Sequence, residues 1–242
     1  MDTLLKELLN SNLVFVLAGA LGGLAGLLLS YKEMGKIIRM IRTSTAEIGS
    51  LPADEQVQIV GQADGDTILS SPITRTNCVL WQVTVSERRS SGKSSHWVKI
   101  YNNTSTSPFD VYDATGRMRL YPGRSLELLL KDDVHKSSGV FYSLDEQTQA
   151  ALKQLGVDTK GFLNMNRPLR VQERYLEKGD EIYVLGKTVS KNGAKLMDSE
   201  SALIVSDQSE LRLVGKFLWQ IFVNTLIGVV FGVGLGLYFM NR

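Results

Sequence analysis

Apolar residues gather in two uncharged blocks near the ends of the chain, and between them the pattern changes to a two-residue alternation. The first block, residues 13–30, reads LVFVLAGALGGLAGLLLS. As a helix rising 1.5 Å per residue it approaches the ~30 Å of bilayer hydrocarbon. The preceding segment mixes Asp2 and Glu7 with Lys6, and no small-x-small cleavage site follows the run. The pattern therefore predicts an uncleaved transmembrane helix over 13–31, after a short tail of 1–12. The second block, residues 217–240, reads FLWQIFVNTLIGVVFGVGLGLYFM. It predicts a second span with Trp219 and Tyr238 at the two interfaces and a tail of 241–242.

Two spans around one domain place both termini on the side opposite that domain. Lys32, Lys36, Arg39, Arg42, Arg212 and Lys216 flank the membrane on the domain side, against Lys6 and Arg242 on the other, so the charge bias predicts a cytoplasmic domain. Gln220, Asn224, Gly228, Gly232 and Gly236 recur every four residues along the second span, and Ala18, Gly22 and Gly26 do so along the first. Such stripes of small residues and amides predict close helix packing, within one chain or between chains, and a homo-oligomer is the expected corollary. Neither span contains an ionisable group, which argues against an ion pathway.

Residues 32–48 form a basic neck in which Met34, Ile37, Ile38 and Ile41 share one helical face, surrounded by Lys32, Lys36, Arg39 and Arg42. These cations are the candidate membrane-surface residues, with the apolar stripe lying on lipid or on the following domain. From 49 to 212 the alternation takes over. It is clearest at 78–85, where Val79, Trp81, Val83 and Val85 point one way. Similar stretches occur at 57–60, 67–69, 97–101, 109–112, 117–120, 125–129, 182–185 and 202–205. Turn chemistry separates them at Gly65, Thr115-Gly116, Gly179 and Asn192-Gly193. Short strands at this spacing predict a mainly β domain, a sandwich or partly open barrel, with one helix at 144–155 capped by Ser143 or Asp145. The segments at 58–72 and 183–199 resemble one another as strand, glycine, turn, strand, which suggests two hairpins paired across a barrel.

Composition removes whole classes of chemistry. The 27 basic and 25 acidic residues leave a net charge of +2, no advertisement for nucleic acid. Cys78, His96 and His135 are the only thiol and imidazoles, too few for a disulfide or a structural zinc site. Gly92-Lys93-Ser94 resembles the end of a phosphate-binding loop, but Glu87 occupies the position of its first glycine and a strand follows instead of a helix. The segment reads as a mobile basic hairpin tip, with Arg88, Arg89 and Lys93 available to a partner. Cys78 opens a strand in apolar company, the setting of a structural thiol. His135 beside Asp132 and Asp133 reads as surface charge, and Glu173, Glu177, Asp180 and Glu181 as carboxylates with no cleft between them. No catalytic residue, cofactor or metal ligand is expected.

The order of pieces, a span, a basic neck, LSSPITRTNCVLWQVTV, FDVYDATGRMRL, RVQERYLEKGDEIYVLGKT and a final span, resembles the GIDE family of membrane ubiquitin ligases, whose β-rich region is also called the BAM, or beside-a-membrane, domain. The match rests on Ser71-Pro72 with Cys78 before a long strand, on Asp113 to Gly116 in a hairpin, and on Gly179-Asp180 leading into Tyr183 to Gly186. The family's ligases continue past the second span into a zinc-binding RING domain, for which this sequence offers no ligand set, so the expected form is RING-less. The resemblance then implies a non-catalytic, membrane-anchored binding or scaffold module contacting the bilayer, further copies of itself and a protein partner; short RING-less relatives imply a prokaryotic source, which fits the cytoplasmic side of an inner membrane that the charge bias predicts. Two other readings stand beside it: a ubiquitin-ligase component whose RING comes from another polypeptide, and an unrecognised membrane enzyme or transporter.

Overall fold

Alternation at the level of single residues builds the larger part of the molecule. In the computed structural model, which describes residues 17, 19–92, 94–131, 133–191, 194–198 and 203–240, the chain divides into two units, 45–209 and the paired ends 1–44 with 210–242.

The unit 45–209 is mainly β. Its strands are β1 (Gln56–Asp64), β2 (Leu69–Ser70), β3 (Asn77–Cys78), β4 (Leu80–Ser91), β5 (Ser94–Thr104), β6 (Phe109–Tyr112), β7 (Arg117–Tyr121), β8 (Leu126–Leu128), β9 (Val134–Ser137), β10 (Leu169–Leu176), β11 (Glu181–Lys191), β12 (Ala194–Asp198) and β13 (Leu203–Ser206). Five of them close into a barrel in the order β1-β6-β7-β12-β11 and back to β1. The β7–β12 contact is parallel and the other four are antiparallel. This is the strand order of the five-stranded OB barrel. The barrel is closed, not partly open. Closure comes from β1 pairing with β11, Gln58 opposite Leu185; only the first strands of the two similar segments meet, and 58–72 is not a hairpin, since β2 pairs with β3. Strands β13 and β8 extend the sheet beyond β11. Val57, Ile59, Phe109, Val111, Met118, Leu120, Val184 and Met197 fill the inside.

Segments inserted between β1 and β6 and between β7 and β11 build a second sheet, β5-β4-β10-β9. One face takes the apolar phase of the alternation. Val83 and Val85 of β4 and Leu169 and Val171 of β10 pack against Ala151 and Leu152 of a single helix in this unit, α3 (Glu146–Gln154). Asp145 is its cap, accepting from the Thr148 N–H at 3.0 Å.

The other unit is helical. It contains α1 (Gly19–Leu29), α2 (Tyr31–Arg42) and α4 (Glu210–Met240). The 31 residues of α4 rise ~46 Å. Among the described residues, one helix is long and apolar enough to cross a membrane, Glu210–Gly234, with mean hydropathy 1.8; α1 is a shorter apolar helix. The rest of the predicted first span, 13–16 and Ala18, lies outside the described residues. Ser30 separates α1 from α2 with a non-helical φ, ψ of −95°, 6°. Helix α2 runs against α4: Ile37, Met40, Leu213 and Phe217 are buried, and the Lys36 ammonium sits 5.3 Å from the Phe217 ring centre.

Candidate functional site

The small-residue stripes of the helical unit meet within one chain. A methyl group added at Gly22 would fall on the Gly228 carbonyl and lie 3.1 Å from Gly232 Cα, and one at Gly26 would lie 2.5 Å from the Asn224 carbonyl. Only bare backbone permits this approach. The Asn224 amide donates to Ser30 Oγ at 2.9 Å, and Ser30 Oγ donates to the Gly26 carbonyl at 3.1 Å. Gln220 lies off this seam and is exposed. The seam runs through Leu213, Phe217, Asn224, Gly228 and Gly232. Gly236 continues α4, with surroundings outside the described residues, as is Ala18. Of the neck cations, Arg42 is exposed, Arg39 half-buried and Lys36 stacked on Phe217, while the side chain of Lys32 is not among those described.

In the β unit the most deeply buried acid among the described residues is Glu173, on the α3 side of β10. Its carboxylate accepts from the Ile73 N–H at 2.7 Å, the Thr74 N–H at 3.0 Å, the Thr74 hydroxyl at 2.6 Å and the Ser71 hydroxyl at 3.3 Å. The turn between β2 and β3 is thereby wrapped around one anion, with Arg75 held at φ 63°. Cys78 follows, buried, and burial with the nearby charges of Glu173 and Glu177 pushes its thiol up to about 11. Such a thiol is no nucleophile at neutral pH.

A second polar cluster ties the barrel strands. Buried Asp110 accepts from Arg119 at 2.7 Å and Arg117 at 3.2 Å, and Arg117 reaches Asp64 at 2.6 Å. Lys178 donates to Asp64 at 2.7 Å, and that bond, with the Gly65 N–H, holds the Asp64 carboxyl below its ordinary range. These groups saturate one another and form a structural lattice. Among the described residues no three His, Cys, Asp or Glu side chains converge as a metal site.

The basic hairpin is the β4–β5 turn. Arg88 donates to Ser95 Oγ at 2.9 Å and is exposed; Arg89 pairs with Glu87 at 3.1 Å, and Glu87 also receives Arg167 at 2.7 Å. Lys93 lies outside the described residues. Beyond the turn the strands form one polar face, opposite α3. Gln82, Thr84 and Ser86 of β4, Lys99 and Asn102 of β5, and Gln172 and Arg174 of β10 line a cleft of about 330 Å³ closed on its far side by β8.

The family model described as GIDE, E3 ubiquitin ligase, matches residues 82–238, most of the chain and both of its units. The chain belongs to the GIDE family. No curated protein matches it, and no solved structure does.

The three stretches that carried the resemblance turn out to be framework of the β unit, the second and third of them within the matched residues. Ser71 to Thr76 is the turn that encloses Glu173. Asp113 Oδ1 accepts from the Thr115 and Gly116 N–H groups at 2.7 and 2.9 Å, while its Oδ2 takes the Ile48 N–H at 2.9 Å, fixing the β6–β7 hairpin to the segment before β1. Burial raises that carboxyl, but these donors and the Thr115 hydroxyl outweigh it and bring it to about 2. Gly179, at φ 94°, with Asp180 closes β10 to β11. Sequence reasoning missed Glu173 as the anchor of its turn and missed the continuous polar face. The available signal was the phase of β10, where Arg170, Gln172 and Arg174 alternate with Leu169, Val171 and Glu173.

Proposed function

We propose that this GIDE-family chain is a non-catalytic, membrane-anchored scaffold, in which two helices, α4 and the span that contains α1, cross the bilayer and hold the barrel domain at the cytoplasmic face. The observation that carries the reading is the Gly22–Gly228 crossing, locked by Ser30 and Asn224. It gives α1 a spanning partner whose backbone it touches, an arrangement that suits two helices sharing hydrocarbon. Self-association then uses the outer side of α4, where Ile227, Val230 and Phe231 are exposed, because the glycine seam is occupied within the chain. Native mass spectrometry in detergent tests it: the full chain is expected as an oligomer that Phe231→Ala weakens and Leu211→Ala leaves unchanged. A monomer at all concentrations contradicts self-association.

A second reading follows from the description of the matching family as an E3 ubiquitin ligase: the domain serves a ligase whose RING is contributed by another polypeptide. Copurification of a RING or ubiquitin-like protein with the full chain supports it, and its absence from native membranes of the source organism removes it.

A further inference from the structure

We propose that the polar face of the four-stranded sheet β5-β4-β10-β9 is a docking surface for the phosphate-bearing headgroups of the bilayer that anchors the chain. The carboxylates of these strands all fall on one face, where Arg89 and Lys136 are paired with Glu87 and Asp145, and the opposite face of the strands carries none. Arg88, Lys99, Arg170, Arg174 and His135 fall in the phase that faces away from α3. Both carboxylates of these four strands, Glu87 and Glu173, fall in the other, where Arg167 and the Ser71 to Thr76 turn neutralise them. The Arg170 guanidinium carbon lies over the Trp97 ring, 4.3 Å from its centre, a cation held in place by the indole. The cleft against β8 adds amides and hydroxyls beside Lys99, with Glu127 as the acid on its far wall. A face of this composition suits phosphate oxygens together with the hydroxyl, amine or ester groups of a headgroup.

One end of the same sheet carries apolar tips. In the turn after β9, Phe141 is 98% exposed, and in the loop before β10, Leu163 is 76% exposed on a backbone at φ 53°. The loops touch through Asn166 Nδ2 and the Val140 carbonyl at 3.5 Å, and Lys160, beside Leu163, meets no carboxylate among the described residues. Exposed apolar tips, the Phe141 ring and the Leu163 side chain, beside the Lys160 cation suit the interfacial region of a bilayer; an oligonucleotide stacking on Phe141 is the alternative that the RNA arm of the experiment separates.

This inference rests on the membrane-anchored reading, and its test separates the two. The full chain carrying Ser137→Cys, on β9 beside Arg170, is labelled with an environment-sensitive fluorophore and reconstituted in single-bilayer nanodiscs. The discs are phosphatidylcholine alone or with about a third phosphatidylserine, and contain headgroup spin-labelled lipid as quencher. Stronger quenching in anionic discs is expected, reversed by ~0.5 M salt and falling about fivefold for each of Lys99→Gln and Arg170→Gln. Phe141→Gln weakens it in both discs, and unchanged near-ultraviolet circular dichroism keeps a folding defect from imitating the result. Equal quenching in the two discs overturns the inference while leaving the anchor intact, as does quenching only when separate vesicles are added. A response to inositol hexakisphosphate or to an RNA oligonucleotide without one to anionic lipid assigns the face to a soluble polyanion and overturns it too. Extraction of the chain by alkaline carbonate removes the anchor, and this inference with it.

Discussion

Asn224 of α4 and Ser30, the break between α1 and α2, meet through a 2.9 Å hydrogen bond at the end of a seam where two glycines bring backbone against backbone. The Ser30 hydroxyl is fully buried and also serves the Gly26 carbonyl, so the bond is fixed at both ends. An amide in apolar surroundings costs free energy unless it is satisfied, which is why the polar pair and the glycine contacts come as a unit.

That unit predicts a cross-link. Cysteines replacing Ser30 and Asn224 should form an intramolecular disulfide on mild oxidation, seen as a faster-migrating monomer. Gly22→Leu should reduce its yield severalfold, because a side chain there occupies the position of the Gly228 carbonyl. Gly35→Leu, at a position with nothing within 4 Å, should leave it unchanged. Equal yields in all three backgrounds would contradict the crossing.

Glu173 is the most consequential single polar residue of the β unit. Glu173→Gln keeps the volume but replaces one accepting oxygen by a donor that faces the Thr74 N–H and hydroxyl. The expected loss is about 2 kcal/mol, a fall of roughly 5 °C in the thermal midpoint, measurable by calorimetry of the full chain. A midpoint within one degree of the parent would show that the turn does not depend on the charge.

Acid stability follows from two carboxylates. Asp113 is brought to about 2 by its ring of donors, and Asp145 to about 2 by Lys136 and the Thr148 N–H. Both lie below the ~3.9 of an unfolded aspartate. Folding lowers them, so their stabilisation is complete above about pH 5 and disappears as the pH falls from about 4 to about 2. Asp64 and Glu87 are lowered by their cationic partners and add in the same sense, whereas burial raises Asp133 and opposes them. Denaturant midpoints should be flat from pH 7 to 5 and then fall, with a shallower fall in Asp113→Asn and Asp145→Asn.

Cys78 should resist maleimide in the native protein for hours at pH 7.5 and react within minutes in denaturant, since its thiol is both buried and held near 11. Rapid native labelling would mean that β3 opens readily.

The mainly β character and the helix at α3 could be read from the sequence because alternation and capping act over a few residues. Asp145, one of the two expected caps, does cap it. Strand β10 could not, because Glu173 stands in the apolar phase and breaks the pattern. Its compensation lies 100 residues away at Ile73, a distance no local period reports. The same is true of barrel closure, which depends on β1 meeting β11, and of the parallel β7–β12 contact. Turn residues at Gly116 and Gly179 were legible because their geometry is local, whereas Gly65 joins β1 to β2, which do not pair with one another. The polar sheet face was not, since its cations come from β4, β5, β9 and β10 and only the sheet order places them together. Gln220 was assigned to a stripe by spacing alone, and it is exposed because spacing does not report which stretch of a helix has a partner beside it.

The central claim, a barrel domain held on one side of a bilayer by a pair of spanning helices, is tested most directly by labelling single cysteines with an impermeant maleimide in sealed and opened cytoplasmic-membrane vesicles of known orientation. Cysteines at Ser90, on the β4–β5 hairpin, and at Asn12, before the first apolar block, should react from opposite faces, Ser90 from the cytoplasmic one. Reaction of both from the same face would contradict the paired-span account.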